Sequence, residues 1–322
     1  MTPEPAPSFD DVLLARSTIA PYLRPTPLYP YQGLSDAIGA DLWIKHENHL
    51  PTGAFKVRGG VNFMARLSPE QRARGIITAS TGNHGQSVAF AARRFGVRAV
   101  VAVPHGANPG KVAGIRDFGA EIRFIGNDFE ACRQYVEATA EREGMRYLSS
   151  GDEPLLIAGV ATHTLEIVDA LPEVDVVIVP VGGGSGAAGA CLVARANARR
   201  IEVIGVQAEG APAAWRSWKE GRRVEVPVTT MADGLATGAP FDLPQSILRR
   251  DLDDFILVSD AELRAAVRLL IEQTCNLAEA AGAAALAAAL KLRDRLSGRR
   301  VALILSGGNL SWDALRELLR ET

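Results

Sequence analysis

The chain has 322 residues, enough to bury a large core in one big or two moderate domains. With 47% apolar residues, 22% charged residues and a net charge of −2, it has an ordinary globular make-up and no basic face for nucleic acid or a membrane surface. Cys132, Cys191 and Cys275 are too scattered for a disulfide framework or a C-x-x-C metal site, the acidic, proline-bearing N-terminus is unlike a signal peptide, and no apolar run reaches membrane-spanning length; the expectation is a cytoplasmic protein.

In chain order, Ser8 with Asp11 reads as the cap of a helix running to about residue 18. The prolines at 21, 25, 27 and 30 force an extended or turning path. Residues 42–45 form a short strand that feeds Pro51-Thr52-Gly53-Ala54-Phe55-Lys56-Val57-Arg58-Gly59-Gly60, and helical spacing then runs from 55 to about 67. A first alternating series follows: strand 75–79, turn 80–85, helix 86–95, strand 99–103, helix 110–118, strand 121–125 and helix 128–143. A second series has helix 157–171, strand 174–180, a glycine loop at 182–186, helix 187–198 and strand 201–206. Residues 227–244 show no periodicity and read as loop; Ser259 and Glu262 cap a helix over 260–274, and helix 278–295 precedes strand 301–305. Alternation of this kind implies an α/β protein with two open, mostly parallel twisted sheets covered by helices on both faces. The domains expected are a large one, 1–75 plus 151–322, and a small one, 76–150.

Four loops follow strands and are rich in small or polar residues: 51–56, 80–85, 182–186 and 306–309. Ligands of open α/β sheets sit beyond the carboxyl ends of the strands, so these four are expected to share one site. Lys56 has apolar neighbours and flanking glycines; burial would lower its pKa from about 10.4 and make it a nucleophile able to form a Schiff base, as with pyridoxal phosphate. A snorkelling surface lysine fits the same local sequence. In the 182–186 loop, bare N–H groups at a helix start can hold a phosphate. The same loop also matches a dinucleotide fingerprint, Gly184-x-Gly186-x-x-Gly189 with Glu209 beyond, so a non-catalytic dinucleotide-binding module stays open on these residues alone.

The motifs 51–59, Ser80-Thr81-Gly82-Asn83-His84-Gly85, Val181-Gly182-Gly183-Gly184-Ser185-Gly186 and Leu305-Ser306-Gly307-Gly308-Asn309, in this order, resemble the fold-type II (tryptophan synthase β-like) pyridoxal-phosphate enzymes. Within these the chain is most similar to the serine/threonine dehydratase (threonine ammonia-lyase) and serine racemase group, over nearly its whole length. The resemblance implies pyridoxal 5′-phosphate in the cleft between the domains, with Lys56 forming the internal aldimine and moving the Cα proton. It implies that Phe55 and Gly234 flank the ring, that Asn83 bonds the ring's 3′-oxygen, and that Gly182, Gly183, Gly184, Ser185 and Gly186 cradle the phosphate. Ser306 would face the ring nitrogen, Glu279 would lie near the cofactor, and Ser80, Thr81, Gly82, Asn83 and His84 would bind the substrate carboxylate.

The reaction implied is dehydration and deamination of a β-hydroxy amino acid of the L-threonine/L-serine type to a 2-oxo acid and ammonia, in a homodimer. Racemisation, β-replacement, or a bulkier substrate such as phenylserine, hydroxyaspartate or an ectoine-derived acid is the alternative. Thr81 stands where the racemases carry their opposite-face serine base, which weighs against racemisation. Ala54 replaces a common serine beside the lysine. Gln207 and Ala213 fall where racemase carboxylates hold a divalent cation, so no metal is expected. No C-terminal regulatory domain is expected on this reading, and the isolated His84 and His163 read as structural rather than acid–base groups.

Overall fold

The computed structural model describes residues 5–80, 82–107 and 109–319. Ten strands form two sheets. One sheet contains β1 (Leu28–Pro30), β2 (Asp41–His46), β7 (Val176–Pro180), β8 (Glu202–Ala208), β9 (Asp254–Val258) and β10 (Arg300–Leu305), in the order β1-β2-β10-β7-β8-β9. Only β1 in this sheet runs antiparallel. The second sheet, all parallel, contains β3 (Ile76–Ala79), β4 (Ala99–Val103), β5 (Glu121–Phe124) and β6 (Arg146–Tyr147), in the order β5-β4-β3-β6. The central strands β3, β4 and β7 are buried along their whole length. That is why they read as unbroken apolar runs, the mark of strands covered on both faces.

Local signals act where the sequence places them. Ser8–Asp11 and Ser259–Glu262 both close as reciprocal capping boxes. The proline-rich stretch, expected to be extended or turning, supplies the edge strand β1, whose register pairs Leu28 with Lys45. Several elements lie outside the expectations: the helices Gln32–Ile38, Pro69–Arg74, Ala213–Glu220 and Trp312–Leu319, the short strand β6, helix Asp242–Asp251 at the end of the stretch read as loop, and the strand β9 after it. Helix 278–295 is divided into Ala280–Lys291 and Arg293–Leu296.

Helix Lys56–Ala65 links the two sheets' cores because its glycines allow backbone-level contact. A Cβ on Gly59 would stand 2.8 Å from the carbonyl oxygen of Leu156, and one on Gly60 would stand 2.3 Å from Ser87 Oγ. The helix is thereby wedged between Pro154–Ala170 and Asn83–Phe95. Among the described residues no helix is long and apolar enough to cross a membrane.

Candidate active site

The four loops converge. β2, β10 and β7 are neighbours in the large sheet, and the 51–56, 306–309 and 182–186 loops follow their carboxyl ends. The 80–85 loop follows β3 of the other sheet and faces them across a cleft of about 1870 Å³. Phe55, Lys56, Ser80, Gly82, Asn83, His84, Gly182–Gly186, Gly234, Glu279 and Ser306 all line this cleft. Thr81, the residue expected on the opposite face, lies outside the described residues.

The Lys56 loop is stitched to the Ser306 loop by main chain. Ala54 and Gly307 form an antiparallel bridge, the Phe55 N–H donates to the Ser306 carbonyl at 3.0 Å, and the Gly308 N–H donates to the Gly53 carbonyl at 2.9 Å. Lys56 begins its helix and sends its amine into the cleft, where Nζ donates to Ser185 Oγ at 3.0 Å. Burial lowers the Lys56 pKa to about 8. At neutral to mildly alkaline pH a usable share of the amine is therefore unprotonated, as a nucleophile and proton carrier requires.

The 182–186 loop has little room for anything but glycine. A Cβ on Gly182 would stand 2.1 Å from the Gly234 carbonyl oxygen, and Gly184 has φ +92°, a conformation that L side chains rarely adopt. Ser185 starts a 12-residue helix, so the loop's N–H groups lie at the positive end of a helix dipole. This cradle fits a phosphate, and Lys56 beside it fits an aldehyde on the same molecule. Gly189 does not serve a dinucleotide: a Cβ there would meet Ala161 backbone at 2.8 Å, so this glycine answers to helix packing. Glu209 pairs with Lys291 at 3.7 Å.

Asn83 is held from two sides. It donates through Nδ2 to Glu279 Oε1 at 2.6 Å and accepts through Oδ1 from Asn309 Nδ2 at 2.8 Å, while Asn309 Nδ2 also donates to the Thr52 carbonyl at 2.7 Å. Asn309 ends one of the four motifs, yet sequence reasoning gave it no role of its own. Glu279 is buried, and that burial raises its pKa to about 7, with Lys111 and Asn83 opposing the shift. Ser80 Oγ accepts the N–H groups of Gly82 and Gly85 at 3.2 and 3.0 Å, so it shapes the turn before helix Asn83–Phe95. His84 bonds Thr78 Oγ1 at 3.0 Å, and burial, then the charge of Lys56, drops its pKa to about 3. It is a neutral hydrogen-bonding group.

Three cleft residues went unnoticed in the sequence. Lys111 of helix Pro109–Asp117 pairs with Asp233 across the cleft mouth. Phe241 lies against two glycines: Cβ atoms on Gly151 and Gly183 would stand 2.2 and 3.0 Å from its ring. No short-range pattern marks either feature. Trp215 and Trp218 donate to the Phe255 and Leu248 carbonyls and do not line the cleft.

Comparison with known proteins agrees with this geometry. The family model "Pyridoxal-phosphate dependent enzyme" matches residues 19–307. An L-threonine ammonia-lyase of Geobacter sulfurreducens is 42% identical over 291 residues, covering 89% of this chain and 72% of the relative. A second L-threonine ammonia-lyase, from Thermotoga maritima, is 35% identical over 315 residues, covering 98% and 78%. Among solved structures, maize serine racemase superposes with a TM-score of 0.93 at 30% identity, covering 97% of each chain.

Proposed function

The chain belongs to the family of pyridoxal-phosphate dependent enzymes, and from that premise we propose that it is an ammonia-lyase removing water and then ammonia from a β-hydroxy amino acid of the L-threonine/L-serine kind. The enamine left after loss of water tautomerises to an imine and takes water up again on hydrolysis, so the products are a 2-oxo acid and ammonia. The observation that carries this reading is the Lys56 amine, its pKa lowered to about 8, 3.0 Å from the serine of the glycine nest. The relatives bearing the name L-threonine ammonia-lyase support the substrate class.

Bound here, pyridoxal phosphate supplies the electron sink that stabilises negative charge at the substrate's Cα. Gly182–Gly186 and Ser185 would hold its phosphate, Phe55 and Gly234 would flank its ring, and Asn83, oriented by Glu279 and Asn309, would bond its ring oxygen. The work of this chain's own groups is then short. The 80–84 loop and the start of the 13-residue helix Asn83–Phe95 receive the substrate carboxylate at a positive helix end. Lys56 Nζ would take the Cα proton, and the β-hydroxyl would leave as water, gaining one proton for the one that Lys56 accepts. Ser306 would offer the ring nitrogen a neutral hydroxyl in place of a carboxylate, which would favour rapid loss of the β-group over prolonged charge storage.

The working form is read as a cytoplasmic homodimer with a small-molecule substrate, and the 76–150 segment as the smaller domain. Buried Cys132 and Cys191 support a reducing compartment, and exposed Leu277 and Trp312 are side chains that self-association would cover. Protein loaded with pyridoxal phosphate and supplied with L-threonine or L-serine should release equal amounts of 2-oxo acid and ammonia. Loss of optical purity in the amino acid without 2-oxo acid would overturn the reading in favour of racemisation.

A further inference from the structure

Behind the Lys56 loop lies a group of buried charges that the chemistry above does not use. Arg58 is fully buried. Its Nε and Nη2 donate to Glu47 at 2.6 and 2.8 Å, and its Nη1 and Nη2 donate to the two oxygens of Glu166 at 2.6 and 2.8 Å. Nη1 also reaches Thr162 Oγ1 at 3.1 Å, and Nη2 reaches Thr26 Oγ1 at 3.4 Å. Lys45, equally buried, donates to Glu166 Oε2 at 2.5 Å and to the Thr26 carbonyl at 2.7 Å. Two cations thus meet two carboxylates with no net charge. Burial would raise the Glu47 pKa, but the Arg58 guanidinium outweighs it and holds the carboxyl at about 2.

Such a group is a poor way to gain stability, because desolvating each ion costs several kcal/mol and apolar residues of similar volume often do as well. What bidentate, charge-assisted pairs provide is direction. Here the direction bears on one loop. Glu47 stands at its entrance and Arg58 at its exit, with Lys56 two residues before Arg58. Glu166 belongs to helix Pro154–Ala170, which also presses on the Arg58 backbone: a Cβ on Gly159 would stand 2.7 Å from the Arg58 carbonyl oxygen. Helix Lys56–Ala65 cannot turn or slide without breaking both forks.

We propose that Arg58 is a positioning residue for the reaction: by joining Glu47 to Glu166 it fixes where the loop delivers Lys56 Nζ relative to the 182–186 nest. This rests on the reading of Lys56 as the reacting amine. Arg58→Met alone would strand Glu47 and endanger folding, so the informative variant is Arg58→Met/Glu47→Gln, which deletes one cation with one anion and leaves Lys45–Glu166 paired. Measured well below its Tm, the double variant should keep its fold, lose at least tenfold in kcat with KM for the amino acid little changed, and bind pyridoxal phosphate at least fivefold more weakly by absorbance titration. Arg58→Lys, which keeps the charge without the fork, should not rescue kcat. Should the double variant fail to fold, Thr162→Val removes one bond to Nη1 without stranding a charge and should lower kcat two- to threefold at unchanged Tm.

A lower Tm with wild-type kcat and cofactor affinity would overturn the proposal and leave the group a purely structural one. Failure of the underlying reading looks different: turnover would then survive Lys56→Ala, whatever happens at position 58.

Discussion

Asn83 Nδ2 and Glu279 Oε1 meet at 2.6 Å, joining the helix after β3 in one sheet to the helix packed beneath the other. The carboxyl has lost its water: burial raises its pKa from 4.5 to about 7. Between those values the folded protein keeps a proton that the unfolded chain has released. Stability from this group is therefore full below pH 4.5 and lost as pH rises through about 7. Glu279→Gln should flatten that part of the Tm-against-pH curve between pH 5 and 7.5, relative to wild type. Parallel curves for the two proteins would refute the assignment.

Gly182 faces the Gly234 carbonyl with no room for a methyl group. Gly182→Ala must push the nest and the 233–235 turn apart. Cofactor affinity, followed by absorbance titration, should fall at least tenfold while the far-UV spectrum stays unchanged.

Ser306 is a nearly buried hydroxyl at the end of β10, stitched to the Lys56 loop. A carboxylate there would hold the ring nitrogen protonated. Ser306→Asp should cut 2-oxo acid formation by at least tenfold and raise side reactions that need longer-lived charge at Cα, read by exchange of the Cα proton with solvent deuterium.

Phe241 lines the cleft and packs against Gly183 of the nest, and the proposed function makes its ring part of the wall around a substrate's β-substituent. Phe241→Ala should raise kcat/KM for phenylserine relative to threonine by about tenfold, the scale set by a few buried methylene equivalents. An unchanged ratio would remove Phe241 from the substrate wall.

Much of this was legible from sequence because the cofactor cradle is made of short motifs whose chemistry is local. A glycine nest at a helix start, a lysine between apolar residues and a serine after an apolar strand each carry their reason in a few residues. What escaped depends on distant pairs. Arg58, Glu47 and Glu166 look like solvated charges in sequence, and only the packing of helix Pro154–Ala170 against Lys56–Ala65 buries them together. Phe241 fills space left by Gly151, 90 positions earlier. β9 alternates poorly because its burial is uneven, buried only at Phe255 and Val258, so it gave no period to read.

The central claim is that the Lys56 amine, in reach of the nest at 182–186, is the group that bonds the cofactor aldehyde. Borohydride reduction of the holoenzyme followed by peptide mass mapping tests it most directly. The account predicts one phosphopyridoxyl group, on Lys56, with loss of the visible absorbance and of turnover together. A label on any other lysine, or an unlabelled Lys56 in protein that has lost its colour, would contradict it.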